Sequence, residues 1–353
     1  MKKIQDANVE NKKVLLRVDF NVAIEDGKAK EKFKIKAAKE TVKYLLKKNC
    51  KVALISHLGR PVATRTLAGK PDEKNNPEFS LEQIVEDVKE SLDVKIKFIN
   101  DCIGDRIRES LDKLDSEEVL LLENVRFYEG EERNDEIFSR KLSENFDIYV
   151  NDAFSVSHRD QSSVTGITKF LPSFAGMRFQ KEISEMEKVK DNFTRPAIAI
   201  IGGAKIETKL PVIKFFEEKY DCVLVGGKIA NEALDQNMKF SEKVILPVDF
   251  IDNHLDIGHE TVKKFKDIIH TAKTIVWNGP TGKFEDEKYA KSSNEILDAV
   301  IASGAFVLVG GGETLEILEK NDAMQKISFV STGGGAMLEY LGGGKMPGVE
   351  VLQ

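Results

Sequence analysis

Cysteine is scarce in this chain. Cys50, Cys102 and Cys222 form an odd set with no CxxC pairing, which excludes a disulfide framework or a cysteine-based zinc site and fits a reducing cytosol. Long hydrophobic runs are missing as well. No stretch approaches the roughly 18 apolar residues of a spanning helix, and Met1 to Glu10 lacks the apolar segment of a signal peptide. A cytoplasmic protein without a membrane partner is expected. There is no excess of positive charge: 53 Lys and Arg against 59 Asp and Glu give a formal charge of −6, which argues against a nucleic-acid partner. Several nucleotide motifs are absent too. No G-x-x-x-x-G-K-[ST] occurs, and no complete G-x-G-x-x-G follows a strand-like run. His158-Arg159-Asp160 imitates the protein-kinase catalytic loop, but Gln161 and Thr165 stand where that loop carries Leu and Asn.

Glycine placed after apolar runs is abundant. The stretch RPAIAIIGGAKIETKL, Arg195 to Leu210, reads as a buried β-branched strand, a Gly202-Gly203 break and a helix from about Ala204. Lys205 and Lys209, four residues apart, would share one helix face beside unpaired backbone N–H groups, which suits phosphate. The pattern recurs in DCVLVGGKIAN (221–231), AFVLVGGGET (305–314) and ISFVSTGGGA (327–336). Four such turns along the C-terminal edge of a parallel sheet would present a row of backbone donors to a polyphosphate.

The first half is built differently. Strand-like runs at 14–20, 52–55, 95–99, 119–122 and 147–150 alternate with helical patterns at 34–48, 81–92, 103–114 and 135–145, which indicates a parallel α/β domain. Its strand exits carry Asp19, Asn21, His57, Arg60, Arg126, His158 and Arg159 rather than glycine rows. Arginine binds carboxylate and phosphate in bidentate fashion, so this edge suits a small organic anion. Residues 61–77 read as a polar, proline-containing loop. A long helix is expected over 173–192, joining the two halves. The expected fold is therefore α/β, two doubly wound parallel-sheet (Rossmann-like) domains joined by a long hinge helix. The domains would be 1–172 and 173–337, with the tail 338–353 packing back on the first.

With both halves read, the chain resembles the phosphoglycerate kinase family. The resemblance is carried in colinear order by RVDFNV (17–22), SHLGRP (56–61), LLLENVRF (120–127), YVNDAF (149–154), IIGGAK (200–205), LPVDF (246–250), DIG (256–258), IVWNGPTGKFE (275–285), VSTGGGA (330–336) and PGV (347–349). It implies reversible phosphoryl transfer from 1,3-bisphosphoglycerate to ADP, giving 3-phosphoglycerate and ATP. It further implies Mg²⁺ with the nucleotide, a monomer, and hinge closure of a glycerate-binding N-terminal domain on a nucleotide-binding C-terminal one. The site residues implied for the glycerate are Asp19, Phe20, Asn21, Lys34, His57, Leu58, Gly59, Arg60, Arg126 and Arg159. Those implied for the nucleotide are Gly203, Ala204, Lys205, Lys209, Gly227, Asn278, Pro280, Glu285, Gly311, Gly312, Glu313 and Thr314, with Glu313 at the metal. Lys209, Arg60, Lys205, Gly334 and Gly335 would surround the moving group. Such a transfer needs alignment and preorganised positive potential more than a nucleophilic side chain.

The chain departs from the family pattern in places. Lys34 stands where an Arg is usual, which keeps charge and loses the fork. Glu313 replaces Asp, Lys228 replaces the third glycine of a turn, and NDAFSVSHR replaces NDAFGTAHR. The segments 230–245 and 250–256 are short. A non-catalytic nucleotide-holding scaffold is the rival reading, and a dehydrogenase is weakened by its missing glycine fingerprint.

Overall fold

A computed structural model describes residues 1–65 and 76–353; the middle of the expected loop at 61–77 lies outside the described residues. The described chain packs as two compact units, Met1–Lys181 with Met346–Gln353, and Glu182–Lys345.

In the first unit six strands form a parallel sheet: β1 (Lys13–Arg17), β2 (Lys51–Ile55), β3 (Lys95–Ile99), β4 (Glu118–Leu122), β5 (Ile148–Asn151) and β6 (Ser173–Ala175), in the order β3-β4-β2-β1-β5-β6. Val14 pairs with Val52 on one side and Ile148 on the other. Alternation along β1 sends Val14 and Leu16 to one apolar cluster and Leu15 to the cluster on the opposite face. Both faces are thus covered by helices, as an all-parallel sheet requires. Each such side chain contributes about 1.5–3 kcal/mol by leaving water, and Leu15→Ala would cost about 2–5 kcal/mol by opening a cavity.

The second unit repeats the plan with β7 (Ala197–Ile201), β8 (Cys222–Val225), β9 (Val244–Ile245), β10 (Thr274–Asn278), β11 (Phe306–Gly310) and β12 (Phe329–Val330), in the order β9-β8-β7-β10-β11-β12. In chain order this is 3-2-1-4-5-6, the doubly wound arrangement whose crevice opens where the winding reverses, here between β7 and β10. Ala197 to Ile201 are buried throughout, because this central strand is covered on both faces.

Several local expectations change. The helix expected from residue 173 starts later: Ser173–Ala175 is an edge strand paired with Tyr149–Asn151, and the helix runs Met177–Lys190. Pro172 and Gly176 bracket the strand, and pairing with β5 satisfies its backbone. The packing division falls within that helix, between Lys181 and Glu182, rather than at 172/173. It returns to the first unit at Met346 rather than at 338, because the helix Gly335–Leu341 packs against Ile206–Lys219. The tail then closes the first unit, Gly348 N donating to Ser157 O and Lys2 N to Leu352 O. The basic helix expected over 34–48 is two, Phe33–Ala37 and Lys39–Lys47, separated at Ala38.

Candidate functional site

Two polar sites lie at strand C-termini, one in each unit. In the first, Asp19 and Asn21 follow β1, His57 to Arg60 follow β2, Arg126 follows β4, and Arg159 follows β5. The loops are tied together by side chains. Asn21 Oδ1 accepts from Gly59 N (2.8 Å), and its own N–H donates to Asp19 Oδ1 (3.0 Å). Asn124 Nδ2 donates to Leu58 O (2.7 Å), and its Oδ1 caps Arg126 N (3.0 Å). Arg126 Nη1 donates to Gly59 O (2.6 Å). Phe20 and Leu58 put their side chains in the core, so what they offer the site is backbone.

Positive charges crowd one another here, with Glu132 Oε1 3.5 Å from Arg126 Nε. Burial, then Arg159 and Arg17, push Arg126 down to about 10. Burial and then Arg60 lower Arg159. Arg126 Nη2 is buried without a hydrogen-bond partner. Like charges crowded at successive strand exits repel, and an anion among them would relieve that repulsion. Lys34 differs: its ammonium donates to Asn21 O (3.0 Å) and lies 3.6 Å from Asp19, which raises its pKa.

In the second unit Gly202 and Gly203 follow β7. A Cβ on Gly202 would collide with Pro280 O, so the close approach of the two βα turns requires glycine there. Gly203 has φ +109°, and a Cβ there would stand 3.6 Å from Glu313 Oε2 and 3.8 Å from Lys209 Cε. The bare Gly203 backbone therefore lies beside both an ammonium and a carboxylate. Lys209 Nζ donates to Asn278 Oδ1, and Asn278 Nδ2 donates to Gly310 O (2.8 Å). Gly279 N donates to Thr314 Oγ1 (2.7 Å). Burial holds Lys209 down at about 8, against the opposing pull of Glu313. Glu313, in the first turn of the helix Gly312–Lys320, is raised by burial, and Lys209 works against the rise.

Lys205 departs from expectation. The positive-φ turn at Gly203 delays the helix to Ile206–Lys219, so Lys205 is its exposed, extended N-cap and does not share a helical face with Lys209. Gly334 and Gly335 open the short helix Gly335–Leu341, whose preceding loop is held by Glu182 accepting from Ser331 Oγ and from Thr332 N and Oγ1.

A cavity of about 390 Å³ opens beside Gly203, Gly227, Pro280, Glu285 and Glu313. Its lining also includes residues not singled out in the sequence: Asn231, Asn253, His254, Leu255 and Lys283. The turn Asp252-Asn253-His254 has positive φ at all three residues and joins the hairpin Phe250–Ile251/Asp256–Ile257. Consecutive Asp and Asn were the available signal. In the first unit the sequence likewise gave no role to Arg17 or Glu131, although a charged residue inside VLLRVDF marked Arg17.

Among the described residues no group of three His, Cys, Asp or Glu could hold a metal by itself. Glu313 alone fits a hard cation whose other ligands are phosphate oxygens and water.

The family model for phosphoglycerate kinase matches residues 4–243 and 235–344. The chain is 39% identical to the phosphoglycerate kinase of Finegoldia magna over 399 aligned positions, covering 99% of this chain and 98% of that protein. It is 36% identical to that of Coprothermobacter proteolyticus over 397, covering 100% and 98%. These alignments are longer than the chain's 353 residues, so this chain lacks segments its relatives have. The structure of phosphoglycerate kinase from Pyrococcus horikoshii superposes with a TM-score of 0.87 at 30% identity, covering 100% of this chain and 98% of that one. That from Coxiella burnetii gives 0.81 at 30%, covering 99% and 98%. The chain belongs to the phosphoglycerate kinase family.

Proposed function

We infer that the two sites carry the two substrates of the family's reaction, the reversible transfer of a phosphoryl group from 1,3-bisphosphoglycerate to ADP, giving 3-phosphoglycerate and ATP. The observation that carries this reading is the possession, in one chain, of a crowded arginine site and a glycine-lined lysine site; a scaffold that only held nucleotide would need one of them.

In the first unit Arg126, Arg159 and Arg60 hold the anionic groups of the glycerate, while Asp19 and Asn21 accept from its hydroxyl. In the second, Lys209 and the N–H groups around Gly203 take the phosphate chain. The cavity between Gly227 and Lys283 takes base and ribose, with Glu285 on the ribose. Mg²⁺, when bound, neutralises charge on the phosphate oxygens; Glu313 is the residue that would hold it. Lys209 is the reacting-group cation of this unit: desolvation makes its charge costly without ligand and effective once a phosphoryl group develops charge beside it. Lys205, Gly334 and Gly335 keep their roles on the family pattern alone. Direct transfer demands that the two anions meet with water excluded, so turnover implies closure of the units.

We read the protein as a cytoplasmic monomer acting on small molecules. Its three free cysteines suit a reducing compartment, and among the described residues no helix is long and apolar enough to cross a membrane. The test is ATP formation from ADP and 1,3-bisphosphoglycerate in a coupled assay, with Lys209→Ala as control. ATP formed by the unmodified protein and lost in the variant is expected; nucleotide binding without turnover would make it a scaffold.

A further inference from the structure

We propose that Arg17 is a positioning residue that locks His57 as the neutral imidazole protonated at Nε2, so that the β2 exit offers an anion a fixed N–H donor rather than a titrating cation. The inference rests on the glycerate reading of the first site for its purpose, though not for its geometry.

Arg17 ends β1 directly after the apolar Val14–Leu16 and is fully buried. Its guanidinium is used on every nitrogen. Nε donates to Ser163 Oγ (3.0 Å), Nη1 to Val18 O (2.6 Å), and Nη2 lies 3.2 Å from His57 Nδ1. A guanidinium has donors only and keeps its charge, so Nδ1 has to be the acceptor and carries no proton. The single proton of the neutral ring is then on Nε2. Protonating Nδ1 would turn an N–H toward a guanidinium N–H. Beyond Arg17, the Ser163 hydroxyl donates to Glu131 Oε1 (2.6 Å), and Ser163 N donates to Glu131 Oε2 (2.9 Å). Glu131 is itself fully buried, so carboxylate and guanidinium balance each other across one serine and fix the orientation of both.

The charged groups around the ring favour its neutral form, leaving the tautomer to Arg17. Burial is the largest influence on His57, followed by Arg17 on β1, Arg126 after β4, Arg159 after β5 and Lys34 on the helix Phe33–Ala37; all five keep the imidazolium well below its ordinary range. Asp19, the carboxylate on the β1 exit, lies 3.6 Å from Lys34 and accepts from Asn21 N. His57 Nε2 has no hydrogen-bond partner among the described residues, which leaves the protonated nitrogen for a ligand. In the opposite tautomer it would present a lone pair to an anion and repel it.

The test begins with the unmodified, unliganded full chain. There are five histidines, so the ring nitrogens are few, and His57→Gln assigns the signal by its loss. Nitrogen-15 NMR from pH 5.5 to 8.5 is expected to show His57 as a non-titrating Nε2–H tautomer. An Nδ1–H pattern, or a midpoint near the ordinary histidine value, overturns the proposal. In Arg17→Met the ring is expected to titrate. The KM for 3-phosphoglycerate, divided by that of the unmodified protein at each pH to cancel the substrate's own titration, should then fall roughly tenfold from pH 8 to 5.5, the scale of a new charge-assisted bond. Should that variant not fold, Arg17→Lys replaces it; one ammonium does not reach all of the guanidinium's acceptors, and loss of the single-tautomer pattern is expected. A ring that stays the same non-titrating Nε2–H tautomer in the variant that folds overturns the role of Arg17. An inactive protein that still shows the Nε2–H ring would sink the glycerate reading and leave this one standing.

Discussion

The first unit keeps its positive charge on long side chains, and the second keeps most of its on the backbone. After burial, Arg159 and Arg17 depress Arg126, and Arg60 depresses Arg159, so like charges stand against one another at these strand exits. In the second unit Lys209 is the single strongly desolvated cation, and the space around it is made by Gly202 and Gly203, whose missing side chains admit Pro280 and Glu313. Side-chain sites are adjustable and bring like charges together; backbone sites are rigid and fail as a whole when crowded. The contrast predicts different consequences for mutation. In the first unit an arginine can be removed without harm to the fold, while in the second a single methyl group damages fold and site together.

The largest effect is expected for Lys209→Ala. Losing the desolvated ammonium beside Gly203 should lower kcat by about 10³, in line with removal of a preorganised donor at the developing charge, with thermal stability unchanged or higher because a buried charge is removed. A loss of less than about tenfold in single-turnover measurements would shift the catalytic weight to the arginine unit.

Gly202→Ala should follow. Its Cβ would run into the Pro280 carbonyl, which is backbone and has nowhere to yield. Denaturant unfolding should show a loss of about 1–3 kcal/mol from overpacking, with nucleotide affinity falling alongside. Arg126→Gln is the matching experiment on the other side. It should raise the KM for 3-phosphoglycerate by about tenfold or more, the scale of one charge-assisted hydrogen bond, and leave Tm unchanged or higher because the like-charge crowding is relieved. If both variants lose stability equally, the distinction between the two materials fails.

A milder effect is expected with pH. The folded-state pKa of Lys209 is depressed to about 8, well under the unfolded value of about 10.4. Between the two, the unfolded chain binds the extra proton, so this residue's contribution to stability rises with pH across that window. Phosphate binding runs the other way, because it needs the protonated amine. ADP affinity measured by calorimetry should therefore weaken above pH 8, by up to about tenfold per pH unit, with proton uptake on binding. Affinity that holds flat to pH 10 would show that the backbone donors carry the phosphate without Lys209.

How far the sequence anticipated this depended on the kind of signal. Period and composition were enough for alternating strands and helices, because a fully buried strand such as Ala197–Ile201 has to be apolar throughout. The glycine turns were legible because close backbone approach leaves glycine as the residue that fits. Lys205 was misplaced, since a positive φ at Gly203 shifts the helix start and nothing in the local pattern encodes that shift. The edge strand Ser173–Ala175 is hidden in the sequence because three residues are too few to show a period, and pairing with Tyr149–Asn151 decides the matter. The wall formed by Asn253, His254 and Leu255 was invisible for a similar reason: it comes from a hairpin of two-residue strands whose place is set by tertiary contacts. Arg17 was written in plain view, yet its role exists only through Ser163 and Glu131, far away in sequence.

The smallest effect concerns Lys34, which occupies a place where the family pattern has arginine. Its ammonium is already engaged, donating to Asn21 O and lying close to Asp19, and it is the proximity of Asp19 that raises its pKa. Much of its charge is thereby spent on ordering the β1 exit rather than on an incoming anion. An arginine in its place would retain an N–H for Asn21 and a charge for Asp19, and the remaining donors of its fork would be free. Lys34→Arg should therefore lower the KM for 3-phosphoglycerate by about two- to fivefold, a fraction of one charge-assisted bond, while kcat and Tm stay put. Lys34→Met should do the reverse, because it removes the cation that orders Asp19 and the Asn21 carbonyl. An unchanged KM in Lys34→Arg would mean that Lys34 only orders Asp19 and Asn21. The anion would then be held by the crowded Arg126 and Arg159 with exposed Arg60, so that like-charge repulsion and the binding of the glycerate would reside in the same three side chains.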